Sequence, residues 1–194
     1  MSTIYTLNGK VLKNAANDKW LIKAVPPQPS FDSVTIGSQI WMSKNLTIDD
    51  GGDGIYTQTV NYGQGDVVEY YYTWDAAVRV AATVQGWHLP SQAEWGALAT
   101  AVGGRSVAGT KLKSTIGWSS GNGDGSYGFA AFPAGERASS GTFYNLGSFA
   151  YFQTSEELNT SQAYIRRFNT SASMLLGSDY KSYGFSVRLI KDSE

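Results

Sequence analysis

The sequence predicts a loop-rich β or α+β domain with two helices, short strands and long ordered loops, preceded by a short β-hairpin arm. Three observations carry that expectation. Glycine (22 residues) and aromatics (13%) are plentiful, while charged residues make up only 16% of the 194, a profile of loop-rich, aromatic-packed structure rather than a helical bundle. A helical period recurs in one central stretch only. Elsewhere apolar residues come in short bursts between Gly, Ser and Asn, the pattern of short strands and ordered loops.

The same numbers exclude several classes. The length suits one domain with a full core, and 15 basic against 16 acidic residues leave a net charge of -1. No electrostatic footprint therefore favours nucleic acid or an anionic membrane surface. Without cysteine there are neither disulfides nor thiolate chemistry. No stretch approaches the roughly 20 apolar residues of a membrane helix. The N-terminal MSTIYTLNGKVLKNAANDKW carries no secretion signal, so a soluble chain without an export address is expected.

In order, residues 4–25 read as short strands around an Asn8-Gly9 hairpin turn. Pro26, Pro27 and Pro29 then stop any ladder. The boundary falls there, with an arm and linker over residues 1–29 and the main domain over 30–194. The arm is the candidate for oligomerising or attaching the domain. Val34, Ile36, Ile40 and Trp41 flank a Gly37-Ser38 turn and predict a second hairpin. The acidic loop DDGGDG (residues 49–54) offers carboxylates to calcium, but its spacing departs from the twelve-residue calcium pattern, so a solvated turn is preferred. GNGDGSYG (residues 121–128) has the same ambiguity. Thr73 caps a helix expected over 74–85 with Trp74, Ala77, Val78, Ala81 and Val84 on its apolar face. Ser91 and Glu94 form a capping box for a second helix over 91–102, whose apolar face is Trp95, Leu98, Ala101 and Val102 and whose stop is Gly103-Gly104. Trp87 sits in the turn between them. Beyond Gly109 the helical period ends. All six tryptophans lie at or before Trp118 and seven of eight phenylalanines after it, which predicts one interlocked core.

Residues 150–189 organise the functional reading. Tyr151, Phe152, Tyr164, Phe168, Tyr183, Phe185, Val187 and Leu189 are aromatic or aliphatic anchors suited to a pleated, half-buried surface. Between them Gln153, Glu157, Asn159, Ile165, Arg167, Thr170, Ala172, Met174, Leu176, Ser178 and Tyr180 follow no rule that folding imposes. These eleven are the candidate ligand-binding residues, with Arg, Tyr and Met suited to hot spots and adaptable contacts. Joint substitution of Ile165, Arg167 and Met174 is expected to change ligand choice without loss of stability.

Several fragments together resemble a known family. IGSQIWMSKNL, YYTWDAA, GWHLPSQAEWGAL, AGTKLKSTIGW, YGFAAFPAGER, GTFYNLG, AYF and KSYGFSVRLIKD occur in the order found in the Fibrobacter succinogenes major paralogous domain, over about residues 31 to 192. The resemblance implies a C-type lectin fold, an α+β arrangement with two helices and a twisted antiparallel sheet whose long loops form a binding face. It also implies kinship with variable proteins of diversity-generating retroelements, in which targeted mutation near the C-terminus varies binding-face residues. Where such proteins carry a tryptophan and serines after AYF, this chain has Gln153, Thr154 and Ser155.

The expected function is thus non-enzymatic binding of a cell-surface protein or glycan, on a phage virion or bacterial surface, without cofactor or metal. Oligomerisation through the arm would add avidity. Two alternatives stand beside it. A glycan-acting enzyme would draw on Glu136, Glu156 and Glu157, but adjacent strand residues point to opposite faces. A calcium-dependent lectin would need a Glu-Pro-Asn or Gln-Pro-Asp triplet, and neither occurs. GWHLPSQAEW also resembles an element of formylglycine-generating enzymes, whose chemistry requires cysteines. His88 is the only histidine; flanked by Trp87 and Leu89, it is expected to be a buried hydrogen-bonding residue.

Overall fold

The computed structural model describes residues 30–193 and two short strands of the arm, Thr6–Leu7 (β1) and Lys10–Val11 (β2). Leu7 pairs with Lys10 across Asn8-Gly9, as the turn signal predicts. The proline segment lies outside the described residues.

The second expected hairpin is present as β3 (Ser33–Ile36) and β4 (Gln39–Met42). Ile36 pairs with Gln39, so Gly37-Ser38 is a two-residue loop. Gly37 has φ +62, and a Cβ there would lie 2.9 Å from that of Ala101, so only glycine fits. β5 (Ile55–Asn61) and β6 (Asp66–Tyr72) then pair along their full length. This ribbon was not anticipated, although IYTQTV alternates apolar and polar residues as a strand does.

Thr73 caps α1 (Trp74–Ala81) by accepting from the amide of Ala76. The helix is a turn shorter than expected, because the amides of Thr83 and Val84 reach Val80 and Ala81 and tighten its end. Its buried face is Ala76, Ala77, Val80 and Ala81, while Val78 is exposed. Between the helices, Trp87–His88 (β7) is a strand rather than a plain turn. Both arms of the capping box form at the start of α2 (Gln92–Ala101), which buries Trp95, Leu98 and Ala99 but leaves Ala101 exposed.

A third helix, α3 (Arg105–Leu112), corrects the expected count of two. Its cap is Gly104, without a side-chain hydrogen bond, and Gly109 lies inside it. Those two glycines hid it, since each lowers helix propensity. Later strands are β8 (Glu136–Arg137), β9 (Phe143–Tyr144), β10 (Ala150–Glu157), β11 (Gln162–Phe168), β12 (Met174–Tyr180) and β13 (Ile190–Lys191).

β13 joins the two ends of the domain by pairing with both β4 and β7, in the order β3-β4-β13-β7. The other large sheet is antiparallel, with the order β10-β11-β12. Trp41, Trp95 and Trp118 pack with Phe129, Phe152 and Phe168 in one core, so both halves of the chain supply its anchors. A second cluster sets α1 against Met42, Leu46, Tyr72, Val187 and Leu189.

Arg188, fully buried, ties these layers together. It donates to Asn45 Oδ1 at 2.8 Å and to the carbonyls of Met42, Phe129 and Ala130. Its guanidinium lies 4.6 Å from the centre of the Phe129 ring. Burial pushes its pKa down to about 9, and the four acceptors offset that cost.

Candidate binding face

β11 is the middle strand of its sheet and fixes where the candidate residues go. Successive side chains alternate between faces, so Gln162, Tyr164, Arg166 and Phe168 share one face, and Ala163, Ile165 and Arg167 share the other. Seven residues span about 20 Å, which separates the loops at its two ends, residues 158–161 and 169–173. The eleven candidates are therefore spread over two faces and two ends, and they do not form a single patch.

Three of the eleven are corrections. Gln153 (1% exposed) donates to the carbonyl of Tyr72 at 2.9 Å. Ile165 (1%) packs with Tyr151 and Phe185, and Met174 (2%) belongs to the main core. They are framework residues, and replacing Ile165 or Met174 would empty packed volume. Met174 pairs with Phe168 across the strands and Ile165 packs against Tyr151 and Phe185, a packing environment that sequence irregularity alone does not reveal.

The other eight reach the surface. Glu157, Asn159, Thr170, Ala172, Leu176 and Tyr180 are exposed, and Arg167 and Ser178 half-buried. Two of them also have local structural work. Glu157 pairs with Lys181, and Asn159 Oδ1 accepts the amides of Ser161 and Gln162 at 2.9 Å each.

The loop 169–173 is held from outside chiefly through its carbonyls. Buried Lys113 donates to the carbonyls of Asn169 (3.0 Å), Ser171 (2.8 Å) and Gly121. The amide of Thr110 in α3 donates to Ala172 O at 3.1 Å. A Cβ on Gly121 would lie 2.1 Å from Thr170 O, and one on Gly109 would lie 2.6 Å from Ala172 O. The carbonyls of Asn169, Ser171 and Ala172 are thus fixed from outside the loop, the side chains of Asn169 and Ser171 cap the amides of Ser171 and Ser173 within it, and the side chains of Thr170, Ser171 and Ala172 are exposed.

A polar cluster lies on the face of the sheet that carries Ile165. Asn145 Nδ2 donates to Glu136 Oε1 (2.7 Å) and to the Tyr151 hydroxyl (3.1 Å). Burial, then the charge of Asp179, raises the Glu136 carboxyl above its usual range, with Asn145 and Arg167 acting the other way. The Tyr151 phenol is pushed up to about 12, mainly by burial and then by Glu136. The guanidinium of Arg167 lies over Gly177, where a Cβ would be 3.9 Å from its Cζ. Its buried Nε has no hydrogen-bond partner. Sequence reading found Arg167 but missed Asn145 and Asp179. One backbone signal marks the site: Asn145 is a non-glycine residue at φ +62.

The remaining candidates have structural roles. His88 is not buried, since its side chain is 41% exposed. It does hydrogen-bond, with Nδ1 2.6 Å from Asp192 and Nε2 2.7 Å from Glu94. In DDGGDG, Asp50 pairs with Arg79 at 2.8 Å and accepts the Gly52 amide. In GNGDGSYG, Asp124 pairs with Lys111 at 2.6 Å. Glu156 accepts the Gln92 amide at the start of α2 (3.0 Å), whereas Glu157 pairs with Lys181, so the two carboxylates are engaged with different partners. Among the described residues no group of three or more His, Asp or Glu is arranged to hold a metal ion, and no helix is long and apolar enough to cross a membrane.

Fold and site together define a mixed α+β domain with a three-stranded antiparallel sheet whose connecting loops, 158–161 and 169–173, carry exposed residues. The family model of the Fibrobacter succinogenes major domain matches residues 34–191, and the chain belongs to that family. No curated protein and no solved structure matches the chain.

Proposed function

We propose that the chain is a non-enzymatic ligand- or receptor-binding protein with a diversified C-terminal surface, a variable protein of a diversity-generating retroelement built on a C-type lectin-like fold. The loop 169–173 carries this reading: Lys113, Thr110, Gly109 and Gly121 hold its backbone while Thr170, Ser171 and Ala172 stay exposed. The side chains of Asn169 and Ser171 cap amides within the loop, whereas Thr170 and Ala172 contribute no side-chain bond among the described residues, so the backbone tolerates replacement of those two, which a diversified surface requires. Leu176 and Tyr180 extend the exposed set along β12. Paired terminal strands, helices packed on antiparallel sheets and long ordered loops support the lectin-like reading. The partner is a cell-surface protein or glycan met by a phage virion or a bacterial surface, and the N-terminal arm is the means of oligomerisation or attachment.

Randomising Thr170, Ala172, Leu176 and Tyr180 and selecting on cell-surface extracts tests the reading. The expected result is altered ligand choice with stability within about 0.5 kcal/mol per substitution, as for ordinary surface changes. Unfolding of most variants, or one ligand retained by all of them, would overturn it. Sequencing the neighbouring DNA supplies an independent check: a reverse transcriptase and a near-copy of the 3′ end are expected.

A further inference from the structure

Beyond the loop, the face of the sheet β10-β11-β12 that carries Ile165 and Arg167 holds an unpaired donor beside unpaired acceptors at its edge. Arg167 makes no hydrogen bond or ion pair among the described residues, and its Nε is shielded from water. A shielded guanidinium is costly until an acceptor reaches it. Close by, Glu136 uses one oxygen for Asn145 and Asp179 uses one for the amide of Tyr180. The second oxygen of each has no partner among the described residues. The charges of Asp179 and Arg167 both act on Glu136, yet no ion pair closes among the three.

Aromatic rings run along the same face. Phe149 stacks on Tyr151 at 5.5 Å and Tyr151 on Phe185 at 5.3 Å. Tyr183 follows at 6.4 Å from Phe185, and Tyr180, which pairs with Gln162 and so alternates to the other face of the sheet, meets Tyr183 at 5.8 Å. The inner rings are buried, whereas Phe149, Tyr183 and Tyr180 reach the surface.

We propose that this face is a metal-free subsite for a neutral saccharide, with Arg167, Glu136 and Asp179 as its polar groups and Tyr183 and Phe149 as flanking rings. An anion would meet two carboxylates and a cation would meet Arg167. Hydroxyl groups answer both, because each donates to a carboxylate and accepts from a guanidinium. The C–H face of a sugar ring packs on an exposed aromatic ring. Asn145, held in the left-handed region, fixes Glu136 and Tyr151 together, and strain kept at such a position is a mark of function. The inference rests on reading the chain as a binding protein and adds the ligand class; none of these groups lies in the loop 169–173.

The test is calorimetric titration and saturation-transfer NMR of the full chain with neutral oligosaccharides, their uronic-acid and amino-sugar counterparts, and short peptides. Neutral sugars are expected to bind best, unaffected by a chelator. Glu136→Gln and Asp179→Asn should each weaken binding tenfold or more, the loss of one charge-assisted hydrogen bond, with melting temperatures recorded alongside. Thr100→Lys, at an exposed position of α2 outside the binding face, should leave sugar binding unchanged. Preference for peptides or charged sugars, sensitivity to chelator, absence of saccharide binding, or unchanged affinity in the folded Asp179→Asn protein would each overturn the proposal. If sugars fail while loop variants still switch receptor, the display reading stands without this subsite.

Discussion

Lys113→Met tests whether the loop 169–173 is held from below. Methionine keeps most of the volume but strips the donor from three carbonyls, those of Gly121, Asn169 and Ser171. A buried acceptor left without a partner costs about 1 to 3 kcal/mol. Part of that is returned, because burying the ammonium is itself unfavourable, the same burial that lowers the Lys113 pKa. Taking about 2 kcal/mol for each carbonyl and returning about half leaves a net loss of about 3 kcal/mol. For a chain of this size that lowers Tm by roughly 6 to 12 °C. Calorimetry measures the shift, and hydrogen exchange locates it: the amides of Ser171 and Ser173, bonded within the loop, should exchange faster while those of α1 keep their order. A Tm within about 2 °C of the parent, with loop exchange unchanged, would refute the idea that one ammonium fixes the display loop.

Gly109→Ala should destabilise by about 1 to 3 kcal/mol, read by urea unfolding, because the new Cβ would lie 2.6 Å from Ala172 O; helix propensity alone predicts the opposite sign. His88 has its pKa raised because its two carboxylate partners outweigh the burial that opposes its charge. A raised folded pKa gives stability that is fully present below the unfolded value of about 6.5 and lost as pH rises through the folded value, so Tm of the parent should fall relative to His88→Gln between those points. Trp95→Ala should cost about 3 to 5 kcal/mol by chemical denaturation, whereas Trp87→Ala should cost less, since Trp95 is fully buried and Trp87 only half so.

The sequence reveals elements that announce themselves through local chemistry. The Ser91–Glu94 capping box, the Thr73 cap and the Gly37-Ser38 turn all stand where residue type requires them. α3 is silent because its glycines serve tertiary contact: Gly109 lets the helix approach Ala172, and propensity is overridden by packing. Arg188 and Lys113 are silent for a different reason. Charged residues ordinarily read as surface, and only the three-dimensional placing of four carbonyls or side-chain oxygens around one, and three carbonyls around the other, makes burial tolerable.

The candidate site shows the same limit from the other side. Gln153, Ile165 and Met174 look as irregular in sequence as Thr170 and Ala172, yet the first three are packed and the last two are free. Irregularity marks positions where no periodic rule applies, and that includes any residue whose neighbours come from distant segments. What separates the groups is where the backbone hydrogen bonds end. In the strands, side chains on both faces meet other elements, so Ile165 and Met174 are constrained even though nothing nearby in sequence constrains them. In the loop, the carbonyls of Asn169, Ser171 and Ala172 take the bonds from Lys113 and Thr110, and Asn169, Ser171 and Ser173 add side-chain bonds, which leaves Thr170 and Ala172 with no side-chain partner to satisfy among the described residues. A frame that grips the main chain is indifferent to residue identity, and the freedom to vary sits where that grip is strongest.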